Sequence, residues 1–408
     1  MGSLPLRVAV SPLRRDVAPR DLVRTLPTVD AAVAELRPED PMHCLRPQAI
    51  TAAARSFVEA FPGRTLYAVK CNPDPRVLSA LWRGGVRAFD CASPAEISVV
   101  RQVLPEASIH YMHPVKARAA IRMAFAEGVR DFALDSLDEL EKILAETGAN
   151  DDLGLVVRLA LPKGKAALDL SGKFGVSADE APALLRRARR HARRLGISFH
   201  VGSQCDDPAR WRQAMALAAD AVAAAGVKID ILDVGGGFPS AYPGADLPVL
   251  AAFMAEIDGA YEDLAGRLGA LAPTELWAEP GRALVAQGVS VVIQVQARRG
   301  DALYVNDGIY GSLSDAGALG WRYPVRLIRP SAAEPRPFTL FGPTCDSLDR
   351  MEGGFVLPAD VREGDWIEVG QLGAYGASLR TAFNGFDRGT LVEVTDPPLL
   401  TTPGYAAG

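Results

Sequence analysis

The chain has 408 residues, more than one core of ordinary size accommodates, so two domains are expected; its 49% hydrophobic and 23% charged content is that of a water-soluble globular protein. A formal net charge of -5 argues against a nucleic-acid partner, and the one basic tract, "RRARRHARR" at 186–194, has helical spacing between apolar residues and reads as a solvated helix face. Five scattered cysteines without C-x-x-C spacing argue for free thiols and against a disulfide framework; with no signal peptide and no apolar run near 18 residues, the expected location is cytoplasmic, away from membranes.

Residues 1–45, which carry the short apolar segment "LRVAVS", are expected to join a β domain formed later in the chain. From 46 to 285 strand and helix patterns alternate. A helical stretch, "PQAITAAARSFVEAF", comes first. Strands are then expected at 65–70, 86–91, 108–112, 131–135, 153–160, 197–202, 229–234 and 274–279, separated by stretches such as "PAEISVVRQVL" and "LDELEKILAETG". Eight strands with eight helices make this an α/β unit, a (β/α)8 TIM-like barrel in preference to an open doubly wound sheet. After Arg282 the segments become short, β-rich and broken by Gly, Pro and Asp. Residues 286–408 are expected to form a C-terminal β domain, with the Pro-rich end from 397 as a loose tail.

"TLYAVKCNPDP" (65–75) poses the chemical question, because its apolar run stops on Lys70 and lysine is rarely buried without a partner. In a barrel of this kind the site lies on loops at the C-terminal strand ends. Those ends carry Lys70, Asp90, His113, Asp135, His200, Gly235 to Gly237, Glu279 and Arg282, with Arg158 near the end of strand five. "DVGGGF" after strand seven and "EPGR" after strand eight suit an anionic phosphate, through backbone N–H groups and the Arg282 guanidinium.

A phosphate site with a lysine, a histidine and a glutamate in one barrel mouth points to pyridoxal 5'-phosphate. Lys70 would form the Schiff base, with desolvation expected to lower its pKa. Glu279 would keep the pyridine nitrogen protonated so that the ring accepts electrons, and His200 is placed to stack on the ring. His110 and His113 have H-x-x-H spacing, but no carboxylate or cysteine pattern accompanies them; they read as loop or core residues and no metal is expected.

"YAVKCNPDP", "FDCASPAEI", "KFG", "HVGSQC", "DVGGGFP", "EPGR", "NDGIYGS", "FGPTCDSLD" and "GAYGASLRTAFNGF" run in order from about residue 65 to 387. Together they resemble the fold-type III pyridoxal-phosphate decarboxylases of the ornithine/diaminopimelate/arginine group, most closely the ornithine/lysine branch. The resemblance implies an alanine racemase-like barrel and a homodimer whose active sites are completed by a loop of the partner's β domain. It implies Lys70 as the Schiff-base residue, with Ser203, Gly237, Gly281, Arg282 and Tyr375 at the phosphate and Gly235 and Gly236 shaping the loop. Asp90, Glu96 and Arg158 would surround the lysine and ring. Cys345 of the other subunit would return a proton after carbon dioxide leaves, Asp346 would bind the substrate's distal amino group, and Tyr310 and Phe383 would line its pocket.

"CD" at 345–346 in place of "CE" favours a terminal ammonium, hence ornithine or lysine over diaminopimelate. The family's ornithine enzymes carry a further acid after "YGS"; here ungapped counting puts Leu319 there, and the nearest carboxylate is Asp315, the candidate substitute. The reading is decarboxylation of a basic L-amino acid to a diamine. The alternatives are decarboxylation of another amino acid, including D-isomers and specialised-metabolism substrates, or a non-catalytic regulatory homologue.

Overall fold

The computed structural model describes residues 23–162, 172–318 and 321–403. Local capping punctuates the first two thirds of the chain. Ser93 Oγ accepts from the Glu96 N–H (3.3 Å) to open the helix Pro94–Val103, and Ser136 Oγ accepts from the Glu139 N–H (3.2 Å) to open Leu137–Thr147. Asp74 does the same for Pro75–Arg83, while Gly148 and Gly226 close helices in the left-handed conformation.

Two short strands open the fold, β1 (Thr25–Leu26) and β2 (Met42–Leu45). The barrel strands follow: β3 (Arg64–Ala68), β4 (Ala88–Cys91), β5 (Ser108–Tyr111), β6 (Asp131–Leu134), β7 (Gly154–Arg158), β8 (Arg194–Ser198), β9 (Ile231–Asp233) and β10 (Glu275–Ala278). All pair in parallel and close in the order β10-β3-β4-β5-β6-β7-β8-β9. Alternation along the strands does the sorting. Leu66, Ala88, Met112, Ala133, Val156, Ile231 and Trp277 form one small buried cluster, while Tyr67, Phe89, Phe132, Leu155 and Ile197 belong to the larger core packed with the helices.

The remaining strands are β11 (Val289–Arg299), β12 (Ala302–Val305), β13 (Val325–Leu327), β14 (Pro335–Phe341), β15 (Arg350–Pro358), β16 (Trp366–Val369) and β17 (Thr390–Val394). They build a separate sheet in the order β1-β17-β2-β11-β12-β14-β15, with β16 bridging β11 and β13. N-terminal β1 and β2 thus complete the β domain; "LRVAVS" lies outside the described residues. Arg46, fully buried where β2 passes into the barrel's first helix, Pro47–Ala60, donates to Glu368 (3.0 Å) and Asp396 (3.0 Å).

Three expectations need correction. β3 ends at Ala68, and Lys70 sits in the single 3-10 turn Val69–Cys71 beyond it. The sixth barrel strand runs from Arg194, not from 197, so the basic tract leaves its helix (Ala181–Arg189) and ends inside the barrel wall. Tertiary pairing overrides helical spacing there: Arg194 reaches Asp131 (2.7 Å) and Glu275 (3.1 Å), and Arg189 reaches Asp230 (2.7 Å). The C-terminal segment is also less loose than its prolines suggest, since Asp396 caps Val29 N–H (3.0 Å) and Thr402 Oγ accepts from Val325 N–H (3.1 Å).

Candidate active site

Ala68, Asp90, Arg158, His200, Glu279 and Arg282, each at or just past the end of a barrel strand, surround a cavity of about 450 Å³. Lys70, Ser203, Gly236, Gly237, Gly281 and Tyr375 line the same space. The turn bearing Lys70 is knitted to the β domain. Tyr67 Oη donates to the Asn72 carbonyl (3.1 Å), Asn72 Nδ2 donates to the Gly373 carbonyl (2.9 Å), and Tyr375 N–H donates to the Cys71 carbonyl (2.9 Å). Tyr375 holds φ at +63°, a left-handed backbone rare for a bulky residue and maintained here by its surroundings.

Lys70 Nζ lies 3.5 Å from Asp90 Oδ2. That carboxylate raises the lysine pKa well above its ordinary value and outweighs desolvation, so the expected depression is overturned. His200 behaves oppositely. Desolvation, with Arg158 and Lys70 nearby, drives its pKa far down, so the ring is neutral, and its Nδ1 accepts from Gly202 N–H (3.0 Å).

The glycines have a tight task. A Cβ on Gly236 would lie 2.7 Å from the Glu279 carbonyl and 3.1 Å from His200 Nε2, and Gly237, at φ +100°, would drive one to 2.4 Å from the Gly202 carbonyl. Gly235 does not line the cavity but fixes its floor: its N–H donates to Asp233 Oδ1 (2.9 Å) and its carbonyl accepts from Glu279 N–H (2.8 Å).

Asp233 stands fully buried behind Glu279. Burial raises both acids, Asp233 from 3.8 to about 6 and Glu279 well above 4.5; the Asp233 charge pushes Glu279 up further, while their hydrogen bond restrains Asp233. Above pH 4 the unfolded chain releases protons that the cofactor-free fold still holds. Stability from this pair is therefore complete below about pH 4 and drains as pH rises through about 6. Asp233→Asn keeps an acceptor for the Gly235 N–H and removes one charge. Cofactor-free D233N is expected to melt above the parent protein near neutral pH, with the gap closing in acid; equal melting at neutral pH would exclude the shared-proton account.

His113, expected at this face, is joined by two side chains not singled out from sequence. His113, Lys173 and Phe174 line the cavity, with the His113 and Phe174 rings edge to face at 5.1 Å. "KFG" was visible as a motif, but the bond that aims it, Gly175 N–H to Asp135 Oδ2 (2.9 Å), joins residues forty apart. His113 is therefore a cavity residue, while His110 is buried against Asp131 (2.9 Å). Lys116, completely buried, anchors the His113 loop by donating to the carbonyls of His113 (2.9 Å) and Ala133 (2.5 Å) and pairing with Glu139 (2.9 Å); burial lowers its pKa to about 8. Lys116→Met should cost about 3 kcal/mol in denaturant unfolding, because it leaves those acceptors and part of a buried ion pair unmatched.

The other expected site residues fall elsewhere. Glu96 does not line the cavity; its carboxylate accepts from Ala92 N–H (2.7 Å) at the start of its own helix. Cys345 is exposed, with its N–H bonded to Asn384 Oδ1 (3.0 Å). Asp346 accepts from Tyr310 Oη (2.5 Å), and the Tyr310 and Phe383 rings meet at 4.9 Å. These four make a surface cluster on the β domain, apart from the cavity. Asp315, considered for the substrate's distal amine, is buried and engaged with Arg282 (3.0 Å). Leu319 lies outside the described residues.

The profile of the family described as "Pyridoxal-dependent decarboxylase, pyridoxal binding domain" matches residues 48–286. The chain belongs to this family. Ornithine decarboxylase of Panagrellus redivivus is 36% identical over 394 residues, covering 88% of each chain. Among solved structures, the arginine decarboxylase of Paramecium bursaria Chlorella virus superposes with a TM-score of 0.79 at 29% identity, covering 90% of this chain and 99% of that one. The lysine/ornithine decarboxylase of Vibrio vulnificus in complex with putrescine gives 0.76 at 32%, with the same coverage. The protein is thus a decarboxylase dependent on pyridoxal phosphate. Its cavity suits that cofactor: Arg282 lines it and carries a buried Nε–H that has no partner among the described residues, as a phosphate oxygen would require, and the Asp90 and Glu279 carboxyls line it together with Lys70 and Arg158. No helix among the described residues is long and apolar enough to cross a membrane.

Proposed function

We propose that this chain decarboxylates a basic L-amino acid, ornithine or lysine, to the corresponding diamine, with residues 46–285 as the cofactor-binding unit and residues 1–45 and 286–408 as the β domain. The observation that carries the reading is that Lys70 and Glu279 line one cavity together with a buried arginine that has a spare donor. Bound there, pyridoxal phosphate supplies an electron sink for the pair left when the substrate carboxylate departs as carbon dioxide.

Lys70 Nζ would hold the cofactor at its aldehyde, and Asp90, 3.5 Å away, stabilises the ammonium form whenever that nitrogen is free. Glu279 would hold a carboxylate charge beside a protonated ring nitrogen, its own proton going to solvent, and neutral His200 would offer a ring face without repelling that cation. Ser203, Gly237, Gly281, Arg282 and Tyr375 hold the phosphate, and Arg158 balances the acids. The net change is amino acid plus one proton to amine plus carbon dioxide, and the proton must reach the substrate carbon from a side chain.

The thiol suited to that step, Cys345, is exposed on a face that also bears Leu348 (70% exposed), Phe383 (44%) and Phe386 (43%). An apolar patch of this kind supports a second copy docking there, so that each site combines one chain's Lys70 with the other's Cys345, Asp346, Tyr310 and Phe383. Mixing Lys70→Ala with Cys345→Ala protein, each inactive alone, should restore about a quarter of wild-type activity, since half the dimers then carry one intact site. No recovery after exchange of subunits would exclude a shared site. Substrate choice is tested by carbon dioxide release from L-ornithine, L-lysine, L-arginine, meso-diaminopimelate and the D-isomers in parallel; preference for any but the first two overturns the assignment.

A further inference from the structure

We propose that Asp315 is a positioning residue for the phosphate-binding arginine and not a ligand of the substrate's distal amine. This rests on the assignment of Arg282 to the cofactor phosphate. The Arg282 guanidinium is committed on three sides. Nη2 donates to Asp315 Oδ2 at 3.0 Å, Nη1 donates to Tyr242 Oη at 3.0 Å, and the Trp321 ring lies 4.2 Å from Cζ. Tyr375 closes a further side at 4.9 Å. Of its three nitrogens, Nε alone is buried without a partner among the described residues, on a side chain that lines the cavity.

The chain after "YGS" thus folds back over the arginine. Asp315, in the first turn of Ser314–Ala318, and Trp321 just beyond it both come from this segment, and both face Arg282. A planar fork with both Nη groups tied has lost its rotamer freedom before any anion arrives, so ordering it subtracts nothing from phosphate affinity. A carboxylate already accepting from a buried guanidinium is also a poor partner for a second cation, because its charge is matched where it stands.

The test separates phosphate from ring and cofactor from substrate. Cofactor-free protein is titrated with pyridoxal phosphate and with pyridoxal, which lacks the phosphate, following tryptophan fluorescence. Asp315→Ala should weaken pyridoxal phosphate by about tenfold or more and leave pyridoxal within about twofold. Asp315→Asn, which keeps an acceptor for Nη2, should recover most of the loss. At saturating cofactor, KM for the amino acid should stay within about twofold in both variants. Should D315A not fold, Trp321→Leu tests the same clamp and should discriminate in the same sense. Equal weakening of both ligands would reduce Asp315 to a structural role, and a raised KM with cofactor affinity intact would return it to the substrate; either overturns the proposal. Parent protein that does not prefer pyridoxal phosphate over pyridoxal would instead refute the assignment of Arg282 on which it stands.

Discussion

Lys70→Ala protein releases carbon dioxide at a rate lower by about 10³-fold or more, and it lacks the long-wavelength absorbance of a lysine-bound pyridoxal ring. The size follows from two losses at one atom. Without Nζ the cofactor has no covalent anchor, so its reactive carbon is held only through non-covalent contacts to the phosphate and ring. The same ammonium is also Asp90's partner, 3.5 Å away, and removing it leaves a carboxylate that is 3% exposed without its cation. Lys70→Met would retain packing but not charge and should be as inactive as alanine. A variant that retained wild-type turnover with either side chain would remove Lys70 from the chemistry.

Glu279→Gln is the second large effect, a fall in kcat of about 10² to 10³ with KM changed far less. An amide in place of the carboxyl leaves the backbone bond from Glu279 N–H to the Gly235 carbonyl intact, so the loop keeps its shape while the charge opposite the ring nitrogen disappears. The acid is raised in the cofactor-free protein because Asp233 stands behind it. A cationic ring nitrogen reverses that preference and ionises it, so cofactor binding should release a proton from the wild type near neutral pH and not from E279Q, measurable in weakly buffered solution. Proton release of equal size from both proteins would assign the titration to another group.

Some of this was legible in one dimension. Short apolar runs, each followed by a helical stretch and three of them by an N-cap at Asp74, Ser93 or Ser136, specify barrel strands because local hydrogen bonding and burial agree with the global fold. Residues just beyond such strands lie at the catalytic face by construction, which is why Lys70, Asp90, His200, Gly237, Glu279 and Arg282 were identifiable as one set and line one cavity. The family profile matches residues 48–286, the span that holds the motifs from "YAVKCNPDP" to "EPGR".

Other properties depended on distance through space. The sixth strand begins inside an arginine run because Asp131 and Glu275, from two other strands, neutralise Arg194. The charge state of Lys70 is a contest between burial and one carboxylate on the neighbouring strand, and only their separation decides it. Phe174 and Lys173 enter the cavity because Asp135 holds the turn, and Asp315 meets Arg282 because a short helix in the β domain faces the barrel. The amino-acid order by itself determined the elements and the residues at their ends, since these follow from local periodicity and capping. Which charges meet, which are desolvated, and which acids remain free for a substrate were decided by the tertiary structure, because electrostatic energy depends on separation and burial rather than on position along the chain.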